Sequence, residues 1–281
     1  MKKSQLYIII LLTGIILLPD VLYGQLQRER VQTNTTVDNV FWAPTNIGLS
    51  TVGNISANNL NTSVMHTFGL TSRGIEHLWG LDDGANTRIG LDYGFSDKFS
   101  AGIGRMTFNK VVDLRTKYNI LRQSRDNGTP VELAAKASVG ITTLSGLGLE
   151  FSDRLSYFAS LMVARKFERL SLQVSPMAAF FNTRPAGARE QLYGIGLIAA
   201  YELNERFSLS AEYLPVIGER NPLTSNAMGI ALNIDTGGHV FQVFLTSSQW
   251  HNEQYIMANN RDRFWEGDFR FGFNINRVFG L

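Results

Sequence analysis

Four histidines, His66, His77, His239 and His251, are the natural starting point for chemistry in a chain that has no cysteine. A histidine beside a serine can turn the hydroxyl into a nucleophile, which is how lipid-acting hydrolases work. Here His66 is followed by Thr67 with no His-x-Ser spacing, and the first serine after His239 is Ser247. The histidines therefore read as interfacial or loop residues, and no catalytic residue is assigned. Glu76 and His77 stand close to Asp82 and Asp83 in "RGIEHLWGLDDGAN". Such groups can hold a metal, but the run lacks the spaced acidic pattern of a calcium loop. It reads as a surface turn, and neither a metal nor a cofactor is expected. Without thiols, disulfides, thiolate metal sites and cysteine nucleophiles are all excluded.

A second group of residues carries charge at a spacing of two. Arg88 and Asp92 share one parity of "TRIGLDYG", and Asp113, Arg115 and Lys117 share one parity of "KVVDLRTKYNI". Glu132 and Lys136 do the same in "VELAAKAS", and Arg270 in "DFRFGFNINRVFGL". Opposite charges facing one another across a narrow lumen could line a path for a solute or pair into a plug, and the sequence leaves both open. A third group, Trp250, Tyr255, Arg261 and Trp265, lies in one long link and could bind a glycan or a surface partner. The same aromatics could instead fold over a barrel mouth.

These groups need elements to hold them, and the dominant element is the strand. From about residue 58 onward the chain alternates with period two. "RLSYFASLMVARKF" puts Leu155, Tyr157, Ala159, Leu161 and Val163 on one face, with Ser156, Ser160 and Ala164 on the other. Similar segments are read at 58–67, 86–94, 98–107, 110–121, 131–143, 169–181, 190–202, 206–216, 226–235, 239–248 and 267–281. This gives about 12 strands of the length that crosses a membrane at a tilt. Short links such as "GFSDK", "KFERL", "ELNER" and "DTGGH" alternate with longer ones, which implies the two ends of an up-and-down meander. Two links break the rule: the one near 108–110 is short where a long one is expected, and 122–130 is long where a short one is expected.

Alternation alone does not distinguish a soluble sandwich from a membrane barrel. The polar parity is dense in charge and glycine, which favours a lumen. Tyr93, Phe95, Phe99, Tyr118, Phe167, Tyr201, Phe207 and Phe279 gather near strand ends, where aromatic rings favour the lipid–water boundary. Arg165 and Arg277, on the apolar parity, also sit near ends, where a lipid-facing arginine costs only about 0–1 kcal/mol. The expected fold is all-β, a transmembrane up-and-down antiparallel β-barrel over 58–281. The seam between its first and last strands must close, because every backbone group in hydrocarbon needs a partner.

Ahead of the barrel, residues 1–24 read as a signal peptide: Lys2 and Lys3, an apolar run from Leu6 to Leu18, then Pro19 and small Gly24. Residues 25–57 read as a polar periplasmic lead-in with one short element around Val40, Phe41 and Trp42. A formal net charge of +2 offers no electrostatic case for nucleic acid.

"GLDYGFSDKFSAGIGR" (90–105), "RLSYFASLMVARKF" (154–167), "GGHVFQVFLTSS" (237–248) and "GDFRFGFNINRVFGL" (267–281) together resemble the membrane-bound β-barrel domain family of Bacteroidota. The resemblance covers nearly all of residues 38–281. It implies an outer-membrane barrel and brings no activity or site residues with it. The last strand also resembles the signal that the barrel-insertion machinery reads, through Phe271, Phe273, Ile275, Phe279 and Leu281, although Leu281 stands where an aromatic is preferred. The expected partners are outer-membrane lipid, that machinery during biogenesis, and a small solute passing through or binding in a polar lumen. The rivals are a barrel that binds a partner through its extracellular loops and a lipid-acting hydrolase.

Overall fold

The computed structural model describes residues 36–37, 39–125, 128–183 and 190–281; the signal peptide read over 1–24 lies outside the described residues. The strands are β1 (Asn59–Leu70), β2 (Asn86–Gly94), β3 (Phe99–Met106), β4 (Val111–Leu121), β5 (Glu132–Thr142), β6 (Leu155–Phe167), β7 (Leu170–Phe181), β8 (Gln191–Glu202), β9 (Phe207–Leu214), β10 (Val216–Ile217), β11 (Ala227–Asp235), β12 (His239–Thr246) and β13 (Arg270–Gly280). Each pairs antiparallel with its neighbours, and β1 pairs with β13 from Asn59↔Gly280 to Leu70↔Arg270, so the sheet closes. Pro215, which has no N–H to give a ladder, separates β9 from β10. Both lie against β8, so they form one interrupted strand of a twelve-stranded wall.

The wall alternates as the sequence implied. On β13, Arg270, Gly272, Asn274 and Asn276 are buried, while Phe271 is exposed outward. Parity turns position 272 inward, and the Phe244 ring leaves no room there for a Cβ, so the residue is glycine. The last strand begins at Arg270, so Asp268 and Phe269 precede it. Arg165 and Arg277, on the outer face, lie over the rings of Phe167 (4.8 Å) and Phe279 (4.4 Å), an arrangement that spreads their charge over an aromatic face.

Turns at the rim where β1 begins are short, and most links at the opposite rim are long. Both exceptions have a structural reason. The short link before β4 turns through Asn109 and Lys110 at positive φ (53° and 50°). It is held by Asn86 Oδ1, which accepts from Thr107 Oγ1 and Phe108 N. The long link after β4 forms a shelf: Gln123 bonds the Lys166 backbone in both directions, and Val37 N donates to Gln123 O.

The lead-in differs from expectation. Residues 39–57 run into the barrel rather than away from it. Val40, Phe41, Ile47, Leu49, Val52 and Ile55 are buried, and Thr45 bridges Ser50 at the turn of this re-entrant segment. From the opposite rim, helix α1 (Glu253–Asn259) enters the lumen with Glu253 through Ala258 buried. The lumen is accordingly not polar throughout. Phe158, Met162, Met177, Leu192 and Leu214 form an apolar core with Leu49, Val52, Ile256 and Met257. Burial of each large apolar side chain contributes roughly 1.5–3 kcal/mol, so the filled lumen acts as the hydrophobic core of the molecule.

Candidate functional site: a charged lumen closed from both ends

On the β2–β4 wall the charges form a ladder. Arg88 donates to both carboxylate oxygens of Asp113 (3.0 and 2.6 Å), Arg115 Nη1 to Asp113 (2.8 Å), and Arg115 Nε and Nη2 to Asp92 (2.6 and 2.7 Å). Two fork-shaped guanidiniums matched to two carboxylates give bidentate, charge-assisted bonds. The strand between them makes room for this. A Cβ on Gly104 would stand 2.1 Å from Arg88 Nη2, and one on Gly102 2.1 Å from Asp92 Oδ1. The side chains of β2 and β4 therefore lie flat across the bare backbone of β3.

The wall holds the re-entrant segment mainly by its backbone. Glu212 of β9 accepts from the N–H groups of Ile47 (3.0 Å), Gly48 (2.9 Å) and Leu49 (3.2 Å) and from Asn46 Nδ2 (3.2 Å). Lys117 donates its three protons to the carbonyls of Pro44, Thr51 and Gly53 at 2.7–2.9 Å. Gln173 donates to Ser50 O and accepts from Val52 N, each at 2.8 Å. Asn274 donates to the carbonyls of Asn46 and Ile47. Buried peptide groups without a sheet partner are costly, and these side chains supply the partners.

The two closures meet at mid-lumen. Glu253 of α1 accepts from Lys136 Nζ at 2.8 and 2.9 Å, from Ser50 Oγ at 2.7 Å and from Ser50 N at 3.2 Å. Beside the junction lies a cavity of about 40 Å³, enough for a few water molecules and little more. Gln254 lines it, 1% exposed, with both amide atoms unpartnered among the described residues.

Every lumen residue proposed from the sequence points inward: Arg88, Asp92, Asp113, Arg115, Lys117, Glu132, Lys136 and Arg270 are buried or nearly so. Seven of these eight lie on β2, β4 and β5. Glu132 accepts from Asn119 Nδ2, and Arg270 pairs with Asp262 at 2.6 Å, tying the long link to β13. The loop candidates separate. Tyr255 is buried and stacked on Trp250 (5.7 Å, 16°), with its hydroxyl 3.1 Å from Thr142 Oγ1, whereas Arg261 and Trp265 are exposed. Glu212, Glu253, Ser50, Gln173 and Asn274 escaped the sequence reading. Glu212 carried a signal, since it shares the inward parity of Ser208 and Ser210. Glu253, in a non-periodic link, carried none.

His66 stacks on Phe273 (5.1 Å) and bonds Thr87, His239 stacks on Phe241, and buried His251 donates through Nε2 to Asn86 O (3.0 Å). Burial pushes the His251 pKa down to about 4. His77 bonds Asp83 at 2.9 Å, beside Arg73, and with Asp82 these residues bring three ligand atoms within reach of one ion.

A closed antiparallel wall with an apolar outer band and charged inner residues defines a membrane β-barrel; among the described residues no helix is long and apolar enough to cross a bilayer. The chain belongs to the membrane bound beta barrel domain family (DUF5777), which matches residues 41–279. Among solved structures, the NanC porin superposes with a TM-score of 0.52 at 10% identity, covering 79% of this chain and 99% of that one. The KdgM porin gives 0.49 at 10% identity (79% and 99%). An outer membrane channel from Pseudomonas putida F1 gives 0.48 at 12% identity (81% and 97%). At such identities the likeness is one of fold. No curated protein matches the sequence.

Proposed function

We propose that the protein is a gated outer-membrane barrel that passes or binds a small polar solute, shut in the described state by its own residues 39–57 and by α1. One observation carries this reading: the lumen is closed by two segments that belong to no wall strand. Their apolar side chains pack on the inner wall, and their polar groups are met by wall side chains; neither kind of contact is part of the strand ladder, so both can break without unzipping the sheet. In this reading residues 1–24 direct export, and the side of β1's first residue is periplasmic. Lipid surrounds the apolar band, and the insertion machinery reads Phe271, Phe273, Ile275, Phe279 and Leu281. The test is single-channel recording in planar bilayers. The native protein should show small or rare openings, and Glu212→Ala or Glu253→Ala should give longer or larger ones. A barrel that stays silent with either closure weakened would sink the proposal.

A second reading, a barrel that binds a partner through its loops, is favoured by Trp265, 80% exposed on the far rim. Trp265→Ala should then abolish capture of that partner while leaving conductance unchanged. The hydrolase reading has less support, because His66 is engaged by Thr87 and Phe273 and His239 by Phe241. No serine hydroxyl bonds either ring among the described residues.

A further inference from the structure

We propose that the mid-lumen junction is a carboxylate-binding site, filled here by the chain's own Glu253 and available to a small organic carboxylate when α1 withdraws. The inference rests on the passage reading above and names the class of solute it would favour. The cradle consists of Lys136 Nζ, Ser50 Oγ and Ser50 N, which together place four donor contacts on the two oxygens of one carboxylate. None of these donors belongs to the helix that delivers the acid: Lys136 stands on β5 and Ser50 on the re-entrant segment. Lifting α1 would leave the cradle assembled and empty.

The charge balance points the same way. The cavity is lined by four cations against three carboxylates, one of which is Glu253. Arg88 and Arg115 stay neutralised by Asp113 and Asp92. Lys117 is capped by backbone carbonyls and meets no carboxylate at ion-pair distance among the described residues. Withdrawal of Glu253 therefore leaves Lys136 as an uncompensated cation at the junction. A low-dielectric constriction of that sign draws anions and excludes cations. The unpartnered amide of Gln254 beside the cavity is a further sign that this space takes a polar guest.

The test uses the full-length protein and two variants, Glu253→Ala and the double variant E253A/K136Q. Each is first shown to be folded by heat-modifiable gel migration. In planar bilayers under a potassium chloride gradient, Glu253→Ala should be anion-selective. Succinate should block its current, with block roughly tenfold or more weaker in the double variant, as expected for loss of a charge-assisted partner. A conducting Glu253→Ala barrel that selects cations, or that succinate does not block, overturns the carboxylate site and leaves passage standing. If Glu253→Ala is silent, the passage reading fails. The site is then decided by calorimetric titration of succinate into that variant in detergent: binding that Lys136→Gln abolishes supports it, and binding that is absent or unaffected by Lys136→Gln overturns it.

Discussion

At the scale of single residues, Glu212 does the most to seat the re-entrant segment, because one carboxylate serves three successive backbone N–H groups. Removing it leaves buried donors without acceptors, each costing about 1–3 kcal/mol. Glu212→Ala should therefore loosen residues 44–53 without unzipping the wall. The chain has no cysteine, so a single reporter is clean. Thr51→Cys, at a position 1% exposed, should resist maleimide in the native barrel and react in the Glu212→Ala background; equal protection in both would show that Glu212 does not hold the segment. The inward direction of these residues was legible, because period two forces it on any strand: Arg88, Asp113 and Lys117 could be placed from their neighbours alone. Their partners were not. Lys117 is matched to carbonyls, and a carbonyl at residue 44, 51 or 53 leaves no mark on residue type. Likewise Gly102 and Gly104 could be read as strand residues but not as the space in which two arginines lie.

At the scale of elements, the strands follow from alternation and the closing segments do not. Val40, Phe41, Ile47, Leu49 and Val52 keep no period, so a loop that packs every one of them inward looks like a polar lead-in with stray apolar residues. Helix α1, seven residues long, is too short to show an amphipathic repeat, and all but its last residue is buried. Its docking depends on pH through His251, which packs beside Asn86 O, Arg88 and His66. An undocked imidazole titrates near 6.5 and the docked one near 4. Above 6.5 both states are neutral and docking is at full strength. As pH falls from 6.5 to 4 only the undocked loop takes up the proton, so docking weakens progressively, by about 3 kcal/mol in total. In a variant whose other three tryptophans, Trp42, Trp79 and Trp265, are replaced by phenylalanine, Trp250 emission should shift to the red as pH falls through this window. His251→Asn keeps a donor for Asn86 O and cannot titrate, so it should flatten the response. An unchanged pH profile in His251→Asn would assign the effect to another group.

At the scale of the whole molecule, the question is which solvent the outer face meets, and the answer sets the sign of a substitution. Leu161 lies at the middle of β6, 41% exposed, and Tyr201 near the end of β8, 48% exposed. By accessibility the two positions are alike, and in a soluble sandwich an arginine at either would be nearly neutral. In a bilayer the depth decides: about 2–4 kcal/mol for arginine at the midplane and about 0–1 kcal/mol near the interface. The native chain already follows this rule, since its outward Arg165 and Arg277 sit near strand ends over Phe167 and Phe279. The lumen obeys a different rule, because the charges there are matched to Asp113, Asp92, Glu253 and the backbone of residues 44–53 and are not exposed to hydrocarbon. Denaturant unfolding of the protein in lipid vesicles should thus show Leu161→Arg destabilised by a few kcal/mol and Tyr201→Arg by about 1 kcal/mol or less. Equal costs at the two positions would mean that the apolar band does not face lipid, and the membrane orientation of the wall would have to be abandoned.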